Sequence, residues 1–302
     1  MAIAPTTLHI SDVPAGTGSV RAVETGPPGG QPIVFLHGWP LSWRSFEPVL
    51  HEAAGAGYRA IALDLPEIGG SVTSTTDGTK RAAAVVIHEA LGELRVHHPV
   101  IVGHDLGGMV AYPYLRDYPD DVAGVVLSSI VIPGLDPWEA VRANPYLWHF
   151  AFHATELPEV LVRDHLAEYF GYFYGATGWN QEAIGKQLRA EHVAAYADDR
   201  ALKAGFDYYR AFPHDAAANR EKNQTTTLKV PLLYLRGDHE PGELETYVEG
   251  FRAAGLTNVT TGVVEGSGHF TPEEAPDAFW AQVRDFARTV QASHGLPRAL
   301  AA

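Results

Sequence analysis

The sequence predicts an α/β protein with a doubly wound, mostly parallel sheet. Four short apolar runs, each followed by a helix-like stretch, occupy the first half of the chain, and two more follow residue 229. Buried parallel strands have this continuous apolar character, and strands that alternate with helices form βαβ units. A closing amphipathic helix is predicted at 276–291. The predicted strands are residues 32–38, 59–66, 98–104, 122–130, 230–238 and 258–269.

The segment from Pro133 to about Thr226 differs from the rest of the chain. It is rich in Tyr, Phe, Trp and His, with helical periodicity and no convincing strand. A structureless loop of this length is implausible in a compact domain, so we predict a helical cap between two core strands. The predicted organisation is a core domain at 1–133, a cap domain at 134–226 and the rest of the core at 227–302, with hinges at 133–134 and 224–227.

Composition narrows the class of protein. The 302 residues suit one large domain or one domain with an insertion. A net charge of −14 disfavours nucleic acid and anionic membranes as partners. The absence of cysteine excludes disulfides and thiolate chemistry. Because we find neither a signal sequence nor an apolar run that could span a bilayer, we expect a cytoplasmic protein. Among oligomeric states we favour a homodimer.

The stretch VIVGHDLGGMV (100–110) reads as a strand, a tight glycine turn and a helix. Gly103, Gly107 and Gly108 leave room for a sharp turn that lifts Asp105 clear of the sheet. The N-terminus of the following helix stabilises an anion at that position. A helix-capping aspartate is the alternative. Because three other motifs fall where catalysis needs them, we predict that Asp105 is a nucleophile.

Those three motifs supply an oxyanion hole, an acid and a base. HGWP (37–40) follows the first predicted strand, and the backbone N–H groups of Trp39 and Leu106 would form the oxyanion hole. Asp238 in LRGDHE follows a buried strand and is the predicted acid, with Glu240 as the fallback. His269 in EGSGHF comes late in the chain and is the predicted base, which completes the order nucleophile, acid, histidine.

With these motifs the chain resembles the α/β-hydrolase family over nearly its whole length. GHDLGG resembles the branch with an aspartate nucleophile, which contains epoxide hydrolases, haloalkane dehalogenases and haloacetate dehalogenases. Haloalkane dehalogenases typically carry Trp after the nucleophile, where this chain has Leu106, and often Asn or Glu where it has Trp39. Haloacetate dehalogenases hold the substrate carboxylate with arginines on the helix that follows the nucleophile. In this chain the first arginine after Asp105 is Arg116. Burying that carboxylate unpaired would be costly, so these differences favour an epoxide hydrolase.

Two stretches of the predicted cap resemble the parts of epoxide hydrolases that hold the epoxide oxygen. GFDYYRAF (205–212) is similar to the second lid-tyrosine motif, which implies that Tyr209 carries the hydroxyl. YLWHFAFH (146–153) resembles a bacterial subset with His in place of the first lid tyrosine, which implies His149. That subset often takes its acid from the end of the fourth predicted strand, where this chain has Ser128 and Ser129. The acid role therefore falls on Asp238.

The resemblance implies an enzyme that opens an apolar, uncharged epoxide to a vicinal diol through a covalent Asp105 ester, using water but no cofactor or metal. A metal at His149 and His153 would need a third ligand, and none is visible at a suitable spacing. The alternatives are a haloalkane or haloacetate dehalogenase by the same route, and a ligand-binding homologue without turnover. The residues expected to line the substrate site are His37, Trp39, His104, Trp148 and Tyr208.

Overall fold

The computed structural model describes residues 6–73 and 77–294. The strands within this part of the chain form one sheet, in the order β1-β2-β4-β3-β5-β6-β7-β8. All neighbouring pairs from β4 to β8 are parallel, whereas β2 pairs antiparallel with β1 and β4. The strands are β1 (His9–Ala15), β2 (Gly18–Thr25), β3 (Pro32–Leu36), β4 (Arg59–Leu63), β5 (Val100–His104), β6 (Gly124–Ser128), β7 (Leu232–Gly237) and β8 (Val259–Val264).

The predicted fold class is confirmed, and the six predicted strands correspond to β3 through β8. Every residue of β5 and β6 is buried, which explains why these strands read as continuous apolar runs. The hairpin of β1 and β2 was not predicted. The first four residues of β1 are exposed at the edge of the sheet, so this strand carries little of the apolar signal that reveals the others.

Helices cover both faces of the sheet, as side-chain alternation along the strands requires. Ile33 and Phe35 of β3 pack with residues of α1 (Glu47–Gly55) and α13 (Pro276–His294). Val34 and Leu36 instead pack with residues of α2 (Lys80–Glu93) and α3 (Leu106–Asp117) on the opposite face. The closing helix predicted at 276–291 is therefore α13. Two further helices of this layered core are α11 (Leu244–Ala253) and α12 (Thr271–Glu274).

A run of helices without a strand connects β6 to β7. We call residues 134–226 the helical insertion. The structure shows that this segment is helical, whereas its boundaries as a separate domain stay a prediction. Its helices are α4 (Trp138–Arg142), α5 (His149–His153), α6 (Pro158–Val162), α7 (Leu166–Thr177), α8 (Lys186–Ala195), α9 (Asp199–Arg210) and α10 (Phe212–Asn223). Within the described ranges, no helix of the molecule has the length and apolar composition needed to cross a membrane.

Two buried pairs of polar side chains join the insertion to the core. His192 of α8 lies with Nε2 2.6 Å from Glu273 Oε1 of α12, and both side chains are inaccessible to solvent. The Lys80 ammonium of α2 is 2.8 Å from the Asp215 carboxylate of α10, again in a buried position. Breaking such a pair leaves an uncompensated charge away from water, so these contacts hold the insertion in one orientation over the sheet.

Candidate active site

Asp105 occupies the strained turn between β5 and α3. Its backbone has φ 50° and ψ −124°, a conformation that residues with a side chain rarely adopt. The strand and helix approach closely at this turn. A Cβ on Gly103 would lie 2.5 Å from the Gly107 carbonyl oxygen, and one on Gly107 would overlap the Leu36 carbonyl oxygen. The turn therefore needs glycine at both positions, as the sequence motif indicates.

The two carboxylate oxygens of Asp105 have different surroundings. The backbone N–H of Trp39 donates to Oδ1 at 2.8 Å. Oδ2 lies 3.6 Å from His269 Nε2. Leu106 is the first residue of α3, and the first N–H groups of a helix have no partner within it. The predicted positions of Trp39, Leu106, Asp105 and His269 thus come together, although β3 and β8 lie far apart in the chain. The Trp39–Pro40 peptide bond is cis.

The acid beside His269 is Glu240, so the prediction of Asp238 is wrong. His269 Nδ1 lies 3.4 Å from Glu240 Oε1. Asp238 instead accepts the Ser267 N–H at 3.0 Å, and its side chain is one third exposed next to His239. The turn after β7 sends these two carboxylates in different directions: Asp238 caps the loop before His269, and only Glu240 reaches the imidazole.

Glu240 is buried in a complete hydrogen-bond set. Its Oε2 accepts from Ser129 Oγ at 2.9 Å and from the Gly237 N–H at 3.0 Å, and Arg236 Nε lies 3.5 Å away. Burial alone would raise the pKa of Glu240, but the bond to His269 and the charges of His269 and Arg236 outweigh it and hold that pKa below its usual range. Ser129, at the end of β6, thus supports the acid rather than replacing it.

The carboxylates around His269 influence the pKa of its imidazole. Burial alone would lower the pKa of His269, but the hydrogen bond to Glu240 and the negative charges of Asp105, Glu240 and Glu274 outweigh that effect and raise it. The neutral imidazole is the form that can remove a proton from water. Activity that depends on this base should therefore fall as the pH drops through a value above the usual histidine range.

The helical insertion contributes His149 from α5 and Tyr209 from α9, whose ring centroids are 5.8 Å apart. Burial lowers the pKa of His149 to about 3, so the imidazole stays neutral at ordinary pH. Burial and the charge of Asp105 raise the pKa of Tyr209 well above its usual value. Among the described residues the Tyr209 hydroxyl has no hydrogen-bond partner. The pair thus offers two neutral polar side chains, and the buried Nδ1 of His149 also has no hydrogen-bond partner among the described residues.

The Trp39 indole is the centre of an aromatic cluster between the turn and the insertion. Its ring lies 5.7 Å from Tyr209 and stacks at 6.3 Å with His149. Sequence reasoning did not single out four members of the cluster, although their spacing on α7 and α9 is helical. Those members are Tyr169, Phe170, Phe173 and Phe206. His153 is the seventh ring around Trp39 and its Nε2 lies 2.6 Å from the Tyr169 hydroxyl.

Both ring nitrogens of His37 are hydrogen-bonded to the backbone, whereas only one ring nitrogen of His104 is. His37 Nδ1 donates to the Gly38 carbonyl and its Nε2 accepts the Leu65 N–H, so both nitrogens support the loop that carries Trp39. His104 Nε2 donates to the carbonyl oxygen of His269 at 2.7 Å. His37 therefore supports the backbone of the site and has no ring nitrogen left for a substrate, which contradicts its expected contact. His104 Nδ1 is buried without a hydrogen-bond partner among the described residues, and a contact of His104 with substrate stays a prediction.

Tyr208 and Trp148 also differ from the expectation. The Tyr208 hydroxyl donates to the Pro66 carbonyl at 3.1 Å, so this side chain ties α9 to the core instead of facing Asp105. Trp148 is 40% exposed, and its indole N–H donates to the Tyr172 hydroxyl on the outer side of α7. The centroid of its ring lies 6.3 Å from that of His149 in an edge-on arrangement, so Trp148 lies at the periphery of the aromatic cluster around Trp39.

Comparison with known proteins agrees with this layered sheet. Residues 31–276 match the family described as the alpha/beta hydrolase fold. The chain belongs to that family. It is 29% identical over 260 residues to a soluble epoxide hydrolase from Corynebacterium sp. (strain C12), covering 82% of this chain and 86% of that one.

Two solved structures extend this likeness to three dimensions. Cfl2 from Burkholderia cenocepacia is 30% identical, with a TM-score of 0.82 over 92% of this chain and 95% of that one. The epoxide hydrolase CorEH is 24% identical, with a TM-score of 0.80 over 94% of this chain and 99% of that one. At that level of identity the likeness to CorEH shows the fold alone.

Proposed function

We propose that the protein is an epoxide hydrolase that converts an apolar, uncharged epoxide to a vicinal diol through an ester on Asp105. One observation carries the proposal. The Asp105 carboxylate has one oxygen on the Trp39 N–H and the other 3.6 Å from His269 Nε2, while the rings of His149 and Tyr209 in the helical insertion lie within 6.3 Å of the Trp39 ring. The relatives named epoxide hydrolase support the same reaction class.

In the first step, Oδ2 of Asp105 attacks one ring carbon and the carbon–oxygen bond of the epoxide breaks. Tyr209 gives its proton to the departing oxygen, while His149 stabilises that oxygen by a hydrogen bond. His149 acts as a neutral donor because its pKa of about 3 leaves no imidazolium to give up a proton. The product of this step is a hydroxyalkyl ester of Asp105.

In the second step, His269 takes a proton from water, and the hydroxide attacks the Asp105 carboxyl carbon. Negative charge develops on Oδ1, where the N–H groups of Trp39 and Leu106 stabilise it. The intermediate collapses and expels the diol oxygen, which receives the proton from His269. The proton left on the Asp105 carboxyl returns to the Tyr209 oxygen through solvent, so water is the only other substance consumed.

The position of Arg116 supports an epoxide over a haloacetate. This residue lies in the last turn of α3, and its guanidinium is buried against Tyr112 and the carbonyl groups of Thr226 and Ala254, away from Asp105. The residue next to the nucleophile is the buried Leu106. A substrate carboxylate would have no arginine there to pair with, whereas an uncharged epoxide needs none.

The proposal includes the wider setting of the enzyme. The helical insertion acts as the cap over Asp105, and its aromatic cluster accommodates an apolar substrate. The substrate is a small molecule and no metal or cofactor takes part. We continue to predict that the enzyme is a homodimer and is located in the cytoplasm.

A substrate panel tests the reaction class. Incubation with styrene oxide, fluoroacetate and a bromoalkane should yield diol from styrene oxide and little halide from the others. Halide release without diol would instead support a dehalogenase. Neither product from any substrate would support a ligand-binding homologue without turnover.

Trapping tests the covalent route. Replacing His269 with Gln should stop ester hydrolysis while leaving attack by Asp105 possible, so mass spectrometry should find the intact substrate mass added to the peptide that contains Asp105. The same experiment on an Asp105→Asn variant is the control and should show no adduct. Absence of an adduct with a substrate that the wild type turns over would contradict the ester mechanism.

A further inference from the structure

Glu274 lies five residues after His269, at the end of α12, and its side chain is almost completely buried. Its two carboxylate oxygens accept four backbone N–H groups. Oε1 accepts from Phe270 at 2.8 Å, and Oε2 accepts from Gly268 at 3.1 Å. Oε2 also accepts from Trp179 at 2.7 Å and from Asn180 at 2.6 Å. No step of the mechanism above uses this carboxylate.

These four donors belong to two segments that the carboxylate joins. Gly268 and Phe270 are the residues directly before and after His269. Trp179 and Asn180 belong to the helical insertion, in the loop that follows α7. His269 itself makes a parallel link, because its N–H donates to the Thr177 carbonyl at 3.0 Å. The backbone of the base is thus held on both sides by one carboxylate, and the same carboxylate holds the insertion.

We propose that Glu274 is a positioning residue that sets the orientation of His269 and couples it to the loop 177–180 of the helical insertion. The inference rests on the proposed function for the role of His269, but not for the contacts themselves. A displacement of about 1 Å at a reacting group can cost about 100-fold in rate. His269 must meet both water and the Asp105 ester, so small shifts of its backbone should impair the second step in particular.

A carboxylate is needed because only an acceptor fits at this position. All four neighbours are donors, and a carboxylate has no hydrogen to oppose them. The amide of Gln would keep one oxygen but turn an NH2 group toward at least one of the N–H groups. The change also removes one of the negative charges around the base. The groups that face His269 are Asp105 at the turn, Glu240 after β7, Glu274 on α12, His104 on β5 and His149 on α5.

The test compares Glu274→Gln with Glu265→Gln, a control on the same connection after β8. Glu265 is exposed, so this variant makes the same change of charge without disturbing the four bonds. For Glu274→Gln we expect kcat for styrene oxide to fall between about tenfold and 100-fold. The Asp105 ester should accumulate, because its formation does not need His269. The acid limb of the kcat profile should move to lower pH, since one charge that raises the pKa of His269 is lost. The control should match the wild type.

Two further measurements keep the proposal falsifiable. Glu274→Asp keeps the charge but withdraws the carboxylate by one methylene, so kcat should fall while the acid limb stays near that of the wild type. NMR titration of His269 and amide exchange at Gly268, Phe270, Trp179 and Asn180 need no turnover. If the wild type failed to hydrolyse epoxides, a lowered pKa of His269 and faster amide exchange in Glu274→Gln would still support the role of Glu274 as a positioning residue.

The outcomes that overturn the proposal are equally distinct. If the wild type hydrolyses epoxides and Glu274→Gln keeps its kcat, acid limb and ester level, Glu274 does not position the base. A loss of kcat that only follows a loss of folded protein, with no accumulated ester and unchanged titration of His269, would assign Glu274 a purely structural role.

Discussion

Glu240 and Asp238 are two residues apart, yet they lie in different environments. The Glu240 side chain is buried between the Ser129 hydroxyl and the Arg236 guanidinium, whereas Asp238 is partly exposed on the loop. Both are acids that follow a buried strand, so the sequence offers either one as the partner of His269. The backbone of the turn decides between them, because it directs Asp238 to the Ser267 N–H and Glu240 to Nδ1 of His269.

This difference predicts the effect of neutralising each acid. Glu240→Gln should lower kcat by about 10²- to 10⁴-fold, because His269 loses the charge that orients it and supports its protonated form. The same loss lowers the pKa of His269, so the acid limb of the profile of kcat against pH should move to lower pH. Steady-state kinetics between pH 5 and pH 9 (a range of about four units) measures both effects.

Asp238→Asn is the matched control for this prediction. Its kcat should stay within about twofold of the wild type, because the carboxylate bonds the backbone of Gly266 and Ser267 and lies beside His239, and none of these contacts involves the His269 imidazole. A larger loss of activity in Asp238→Asn than in Glu240→Gln would show that the acid is assigned to the wrong residue.

At the scale of the element, α9 presents two adjacent tyrosines to different parts of the molecule. Successive residues of a helix point about 100° apart, so Tyr208 and Tyr209 cannot share an environment. The Tyr208 hydroxyl bonds the core at Pro66, and the Tyr209 ring packs against Trp39 and His149. The YYR motif predicts that Tyr209 acts on the substrate, and in the structure Tyr209 rather than Tyr208 lies against Trp39.

Removing each hydroxyl should therefore have different effects. Tyr209→Phe should lower kcat/KM for an epoxide by about 10²- to 10⁴-fold, because the departing oxygen loses its proton donor. Tyr208→Phe should change kcat/KM by no more than about twofold and cost about 1 kcal/mol of unfolding free energy, since the Pro66 carbonyl loses its partner. Kinetics and urea unfolding on both variants measure this contrast; equal kinetic losses would contradict it.

At the scale of the whole molecule, the insertion meets the core through buried polar contacts. His192 bonds Glu273 at one side and the Ser42 hydroxyl at the other, while Lys80 pairs with Asp215 at a second point of the interface. The Ser42 contact lies three residues after Trp39, so the interface that orients the insertion also touches the loop of the oxyanion hole. Stability and site geometry are thus coupled across this boundary.

Breaking the buried pair should destabilise the fold more than breaking an exposed one. His192→Ala leaves the Glu273 carboxylate buried without its partner, so the unfolding free energy should fall by about 3–5 kcal/mol. Arg163→Ala is the control, because it removes an ion pair with Asp199 whose side chains are both more than half exposed. That variant should leave the transition unchanged. Chemical denaturation measures both, and equal effects would contradict the prediction.

The sequence by itself determined the six strands β3 to β8 and the glycine turn at Asp105, and it predicted His269 as the base. These features depend on local patterns: apolar runs make buried strands, and closely spaced glycines permit the strained turn. The hairpin of β1 and β2 was not predicted, because an exposed edge strand such as β1 need not be apolar. Local pattern therefore predicts elements that are buried or sterically constrained.

Only the tertiary structure decided which polar groups meet. The choice of Glu240 over Asp238, the contact of Tyr208 with the core, and the bonds of Glu274 to Trp179 and Asn180 all join segments distant in sequence. A carboxylate reads the same in sequence whether it faces water, an imidazole or four backbone amides. Its partner is set by the path of the backbone and the length of the side chain, and these are fixed only when the sheet and the helical insertion are packed together.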